Sequence, residues 1–314
     1  MNRKETVLLT GASGFIGSTL ARRLADADYR VICPMRPNCP NLFNLNRVKG
    51  IEVITVPVFN FETLAASLDG LSAQVIFNLA SYGVKRHERD PRIMIEGNVS
   101  LLTALLRVTS AWPLRVFVHA GSCSEYAPPS EEKLLKEEDS LLPRSLYGAA
   151  KAASFLLGNA LAARLGVPMI TLRLFGVYGN GEAPERLVSY LINKLKNDSE
   201  VDLTGGRQIR DLLYIEDVTA AFLAVLESPA FKQGEVFNVC SSKAVSVEEI
   251  ATTVARLMNK PKQLLRMGKR EYRKDEPMWL VGDNRLFRKA TDWRPKIDLE
   301  EGISSMVAAI DSRI

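Results

Sequence analysis

Short apolar, β-rich runs separated by longer helical patterns are what most constrain the fold of this chain. Thr6–Thr10, Arg30–Met35, Ile51–Val56, Gln74–Ala80, Arg115–Ala120 and Val167–Leu174 read as buried strands. Helical patterns fill the gaps at about 15–27, 61–69, 92–109 and 145–164. Strand and helix alternating in this order predict an α/β fold: a doubly wound parallel sheet covered on both faces, with ligands at the carboxyl ends of the strands. The 314 residues are enough for such a core.

After Leu174 the rhythm changes to Gly-rich loops, helices near 184–196, 216–227 and 245–258, and a strand at Glu235–Val239 expected to return to the main sheet. Residues 265–283 are polar and irregular. The predicted division is a larger domain built on the main sheet, over 1–174 plus about 234–259, and a smaller C-terminal α/β lobe over 175–233 and 260–314.

Composition narrows the function classes. A net charge of +5, scattered along the chain, argues against nucleic acid and suits a small anionic ligand. No run reaches the roughly 18 to 20 apolar residues of a membrane span, and no signal-peptide core follows Met1, so a cytoplasmic protein is expected. Cys33, Cys39, Cys123 and Cys240 lack metal-type spacing, which predicts reduced thiols and no structural metal. Two histidines, His87 and His119, leave little material for a zinc site or a Ser-His-Asp set.

The first strand runs into Thr10-Gly11-Ala12-Ser13-Gly14-Phe15-Ile16-Gly17, where a helical pattern opens. Glycines there allow a tight turn and close approach of backbone amides to a pyrophosphate, and the helix N-terminus adds positive potential. A carboxylate about 20 residues onward normally holds the adenosine ribose hydroxyl. This chain has Arg36 and no acid between Cys33 and Cys39, so NADP(H) is favoured over NAD(H) through a guanidinium paired with the 2′-phosphate. The alternatives are Arg36 as a solvated loop residue, or stacked on the adenine without discriminating between the cofactors.

Ser145 reads as an N-cap and Gly166 as a C-terminal stop, and the spacing of Tyr147 and Lys151 puts both on one helix face. An ammonium near a phenol favours the phenolate, which predicts a Tyr147 pulled down from about 10 toward working pH, an acid/base for a carbonyl/alcohol pair. Ser122, at the end of the fifth strand, is a candidate hydrogen-bond partner for the same substrate oxygen; a turn-forming serine is the bland reading.

With these features in order, the chain resembles the extended short-chain dehydrogenase/reductases of the NAD-dependent epimerase/dehydratase family. The resemblance rests on the Gly11-x-x-Gly14-x-x-Gly17 loop, Asn78-Leu79-Ala80, Ser122 and Tyr147-x-x-x-Lys151. Downstream it adds Leu172–Gly179, Arg210–Val218, Phe237-Asn238-Val239 and Trp293-Arg294-Pro295. It implies a Rossmann fold, nucleotide-sugar substrates, and Ser122, Tyr147 and Lys151 as the catalytic set. It further implies a dinucleotide held by Gly11, Ser13, Gly14, Phe15, Ile16, Gly17, Arg36, Asn60, Leu79 and Ala80 together with Tyr147 and Lys151. Asn60 stands where the family commonly has an aspartate near the adenine.

Ser81, Lys85, Cys123 and Ser124 are the implied sugar contacts, and Arg210 and Arg273 the implied diphosphate ligands. Family dehydratases that remove water across C4 to C6 carry an acidic pair after the catalytic hydroxyl; Cys123 and Ser124 stand there instead, which disfavours that reaction. A related 5,6-dehydratase type uses a cysteine followed by Glu, which keeps Cys123 in view. The expected activity is NADPH-dependent reduction of a nucleotide-linked 4-keto-6-deoxyhexose at C4. A 4-epimerase with tightly bound NAD is the alternative, and a non-catalytic cofactor-sensing protein the minor one. Leu101, Leu102, Leu105 and Leu106 with Phe155, Leu156, Leu157 and Leu161 exceed a single helical stripe, and similar helices in the family pair two subunits, so a homodimer is expected.

Overall fold

The structure, a computed structural model, describes residues 5–39, 45–84, 87–228, 231–274 and 276–311. Seven strands form the main sheet: β1 (Thr6–Thr10), β2 (Arg30–Met35), β3 (Ile51–Thr55), β4 (Val75–Asn78), β5 (Val116–Ser122), β6 (Met169–Leu174) and β7 (Val236–Val239). Their order across the sheet is β7-β6-β5-β4-β1-β2-β3. That order reverses between β1 and β4, the crevice where ligands of doubly wound sheets bind. The return of the late strand to the main sheet is as expected.

Register shows why the strands read as unbroken apolar runs. Leu8 pairs with Ile32 and Ile76, and Ile76 with Phe117, forming one row; Val7 pairs with Val31 and Val75, and Val75 with Val116, forming the next. Successive rows point to opposite faces, so both faces are apolar and both must be covered. Leu8, Ile32, Ile76 and Phe117 pack with Leu64, Leu102, Leu105 and Ala162 in one buried cluster. Each of these Leu, Ile and Phe side chains contributes about 1.5–3 kcal/mol on burial. Two rows beyond Leu8, on the same face, the chemistry changes: Thr10 pairs with Asn78, and Asn78 with His119, all three buried.

The helices follow their local signals. Ser145 Oγ accepts the Gly148 N–H at 3.0 Å, and the Leu146–Leu165 helix stops at Gly166, in the left-handed conformation with φ 69°. The expected helix over 92–109 is broken in the middle: Pro91–Ile95 and Leu101–Thr109 are α-helical, but Glu96–Ser100 forms a π-turn. Such single-turn widenings inside α-helices are frequent at functional sites, and Asn98 lies inside this one.

The chain divides into two compact units, residues 1–127, 140–173 and 222–237, and residues 128–139, 174–221 and 238–314. The division differs from the expected one at the Leu174 boundary and in three longer stretches. Residues 222–233 join the first unit, where the Phe222 ring meets Phe77 edge-on at 5.3 Å. Residues 238–259 join the second, where Val245–Ser246 pairs antiparallel with Ile209–Arg210. Residues 128–139 also belong there.

In the second unit, the Arg210–Val218 segment works as a clamp. The buried Asp211 carboxylate accepts Ser241 N at 2.7 Å, Ser241 Oγ at 2.6 Å, Ser242 N at 2.9 Å and Gly282 N at 3.2 Å. Asp217 accepts Lys296 N and Ile297 N, and its carbonyl takes Trp293 Nε1 at 3.0 Å, which explains the Trp293-Arg294-Pro295 match. Among the described residues no helix is long and apolar enough to cross a membrane.

Candidate active site

The glycine loop sits at the carboxyl end of β1. Gly11 has φ +76°, and a Cβ there would stand 2.7 Å from the backbone of Leu79 and Ala80. Gly14 N donates to Gly11 O at 2.9 Å and precedes the Phe15–Asp26 helix with no side-chain cap. The first-turn amides of that helix have no intrahelical acceptor, and they face a loop that only glycine can form. These features fit a dinucleotide pyrophosphate. Leu79 N reaches Thr10 O at 3.3 Å and Ala80 N reaches Thr10 Oγ1 at 3.3 Å, so the β4 loop is tied to the same strand end. Ser13 lies in the turn, and Phe15, Ile16 and Gly17 form the first turn of the helix.

Arg36 is exposed immediately after β2, within the same row of strand ends. Asn60 is engaged by the helix after β3: its Oδ1 accepts Thr63 N at 2.9 Å as an N-cap. That occupies the amide oxygen and leaves its NH2 as the group that can meet an adenine.

Ser122, Tyr147 and Lys151 come together in the first unit. Ser122 closes β5, its side chain buried, and its Oγ accepts Ser124 N at 3.1 Å. The Tyr147 phenol, on a half-buried side chain, lies within hydrogen-bonding reach of the Ser122 and Ser81 hydroxyls. Lys151 is buried, and its Nζ donates at 2.5 Å to Ala120 O, two residues before Ser122 on the same strand.

The expected direction of the phenol's titration is reversed. Burial pushes Tyr147 up to about 12, outweighing the two hydroxyls that favour the phenolate. Burial likewise pushes Lys151 down to about 8, opposed by the charge of Glu125. Near neutral pH the phenol therefore holds its proton and the amine is largely protonated. The pair is set as a proton donor.

A buried polar chain, missed in the sequence, runs behind this set. Thr10 Oγ1 donates to Asn78 Oδ1 at 2.7 Å, Asn78 Nδ2 meets His119 Nδ1 at 3.2 Å, and His119 Nε2 meets Ser154 Oγ at 3.4 Å. Ser154 Oγ donates at 3.0 Å to the carbonyl of Asn98, inside the π-turn. Asn98 Oδ1 accepts Ser81 Oγ at 2.8 Å, and its Nδ2 donates to Tyr82 O and Met94 O. This pattern assigns the His119 proton to Nε2. Burial and Lys151 hold the imidazole well below its ordinary range, so it is neutral and structural.

Cys123 and Ser124 follow Ser122 in a short 3-10 turn, both half-buried. Lys85 lies outside the described residues. In the second unit Arg210 and Arg273 converge on one carboxylate: Arg210 pairs with Glu276 Oε1, and Arg273 Nε meets Glu276 Oε2 at 3.0 Å. Arg210 also donates to Ile209 O and Pro277 O. Two guanidiniums gathered on one carboxylate can also gather on a diphosphate. Glu276 was not singled out in the sequence; its place three residues after Arg273 was the available signal.

Comparison with known proteins identifies the family. The profile of the family described as NAD dependent epimerase/dehydratase matches residues 7–240. A trifunctional UDP-glucose 4,6-dehydratase/UDP-4-keto-6-deoxy-D-glucose 3,5-epimerase/UDP-4-keto-L-rhamnose-reductase of Arabidopsis thaliana is 28% identical over 315 residues, 95% of this chain but 46% of that protein. An uncharacterized UDP-glucose epimerase of Bacillus subtilis is 28% identical, covering 98% of each chain. The crystal structure of UDP-glucuronic acid 4-epimerase from Bacillus cereus, in complex with UDP-glucuronic acid and NAD, superposes with a TM-score of 0.85 at 24% identity, covering 98% of this chain and 100% of that one. With the profile spanning most of the chain, and the glycine loop and Ser122–Tyr147–Lys151 set assembled in one unit, the protein belongs to the NAD-dependent epimerase/dehydratase family.

Proposed function

We propose that this protein reduces a nucleotide-linked 4-keto-6-deoxyhexose at C4 with NADPH. The observation that carries the reading is the acid/base inventory around Tyr147. The phenol is held protonated, the positions after Ser122 are a thiol and a hydroxyl, and the nearby carboxylate of Glu125 is tied to Arg173 and the Ser122 backbone. That set can give a proton to a carbonyl oxygen; it lacks a free acidic pair for eliminating water.

In the reduction, the Ser122 hydroxyl orients the C4 carbonyl and Tyr147 O–H protonates its oxygen as hydride arrives at carbon. The Lys151 ammonium steadies the phenolate left behind. A bound nicotinamide dinucleotide supplies the hydride. Arg36 in place of an acid favours the 2′-phosphorylated cofactor, and Arg210 and Arg273 suit the diphosphate of the sugar nucleotide.

Purified protein mixed with NADPH and nucleotide-linked 4-keto-6-deoxyhexoses of several bases is expected to consume NADPH. Arg36→Glu is expected to move the NADPH-over-NADH preference at least about tenfold toward NADH. No consumption with any base would sink the reductase. The second reading, a 4-epimerase, is favoured by the epimerase names of the Bacillus relatives and the NAD in the epimerase structure. NAD retained through purification would select it.

The same reading includes a homodimer. Leu101, Leu102, Leu105 and Leu106, expected on the pairing face, are instead buried in the core; the exposed apolar residues are Ile95, Leu156 and Leu157 on the Pro91–Ile95 and Leu146–Leu165 helices, a face suited to pairing. Light scattering at micromolar concentration is expected to give twice the 34.8 kDa chain mass; a monomeric mass would refute it.

A further inference from the structure

The turn that ends β5 contains a fully buried carboxylate with no part in the proton transfer above. Glu125 Oε1 accepts the Ser122 N–H at 2.7 Å, and Oε2 takes Arg173 Nε, from β6, at 2.9 Å. Arg173 is itself buried: one of its terminal nitrogens donates to Tyr126 OH at 3.0 Å, and its guanidinium lies 4.7 Å from the centre of the Tyr126 ring and 4.8 Å from that of Phe155. The pair fits because residue 121 is glycine. A Cβ there would stand 2.8 Å from Glu125 Oε1 and 3.1 Å from Arg173 Cγ.

Burying two charges is rarely a source of net stability, since apolar residues of the same volume avoid the desolvation. A role at the site accounts for the pair better. Glu125 accepts the Ser122 N–H while Ser122 Oγ accepts the Ser124 N–H, so the turn that presents the catalytic hydroxyl is closed from both sides. Its charge also acts on Tyr147 and Lys151. The other groups around them are the Cys123 thiol on the turn, neutral His119 on β5, and the Ser81 and Ser122 hydroxyls.

We propose that the Glu125–Arg173 pair is a positioning element of the active site, locking the Ser122 turn and setting a fixed negative charge beside Tyr147 and Lys151. The assignment rests on the reading of Ser122, Tyr147 and Lys151 as the reacting groups. Glu125→Gln keeps the volume and an oxygen for Ser122 N but removes the charge, so both neighbours should lose their protons at lower pH.

The test is an NMR titration of full-length protein carrying isotope-labelled lysine, with Lys151→Met assigning the resonance. Lys151 is expected to titrate near 8 in the parent and at least about half a pH unit lower in Glu125→Gln. With NADPH and a turned-over ketosugar, kcat is expected to fall about tenfold with KM within about twofold. Should Arg173 left unpaired prevent folding, Glu125→Gln/Arg173→Met removes both charges; Lys151 should still titrate lower, because Glu125 is the charge that acts on it. An unchanged Lys151 midpoint in a folded variant overturns the proposal, as does failure of both variants to fold, which would make the pair a folding element. The lysine titration needs no substrate, so its failure is separate from failure of the proposed activity.

Discussion

Tyr147→Phe protein is expected to bind the dinucleotide as the parent does and to lose turnover by about 100- to 10,000-fold, the range for removing a general acid. The substitution deletes one oxygen and keeps the ring, so packing in the Leu146–Leu165 helix is untouched. What is lost is the donor that faces the Ser81 and Ser122 hydroxyls. Single-turnover kinetics with pre-bound cofactor isolate the chemical step, and fluorescence titration of the reduced cofactor gives its affinity. Retention of full turnover would remove the phenol from the mechanism. Loss of cofactor affinity with no change in the chemical step would make Tyr147 a binding residue.

Gly11→Val is expected to have the second large effect, on binding and stability together. The residue must hold a left-handed φ of +76°, and its new Cβ must enter space taken by the Leu79–Ala80 backbone. Strain of this kind costs about 1–3 kcal/mol before the collision is counted, so a loss of about 2–4 kcal/mol in unfolding free energy is expected. The β1 and β4 ends are tied by Thr10, so the shift that relieves the collision also displaces the first-turn amides of the Phe15–Asp26 helix. Dinucleotide affinity should fall at least about 100-fold, about 2.7 kcal/mol. A folded variant that binds the cofactor like the parent would show that the loop is not its cradle.

Much of the first unit was legible because its signals are local. β1 and β2 appear at their expected limits, the other main strands begin or end within a few residues of theirs, and Ser145 and Gly166 bound their helix by side-chain capping and left-handed backbone. The π-turn at Glu96–Ser100 escaped, because apolar spacing continues through it and the deciding contacts come from Tyr82 and Ser154. The titration of Tyr147 is not legible in the sequence for a related reason: helical spacing puts Lys151 on the same face, but desolvation depends on everything packed around the ring.

The sequence by itself determined a doubly wound parallel sheet, the glycine loop at its first strand end, and a tyrosine and lysine on one helix face. Periodicity and capping act over a few residues and are written in consecutive letters. Only the tertiary structure decided that Thr10, Asn78 and His119 form one polar row across three strands, that Glu125 meets Arg173, and that Glu276 gathers Arg210 and Arg273. Each joins segments far apart in the chain or depends on how a loop folds back. The physical reason is desolvation: a buried polar group must find a partner, and which partner it finds is fixed by packing.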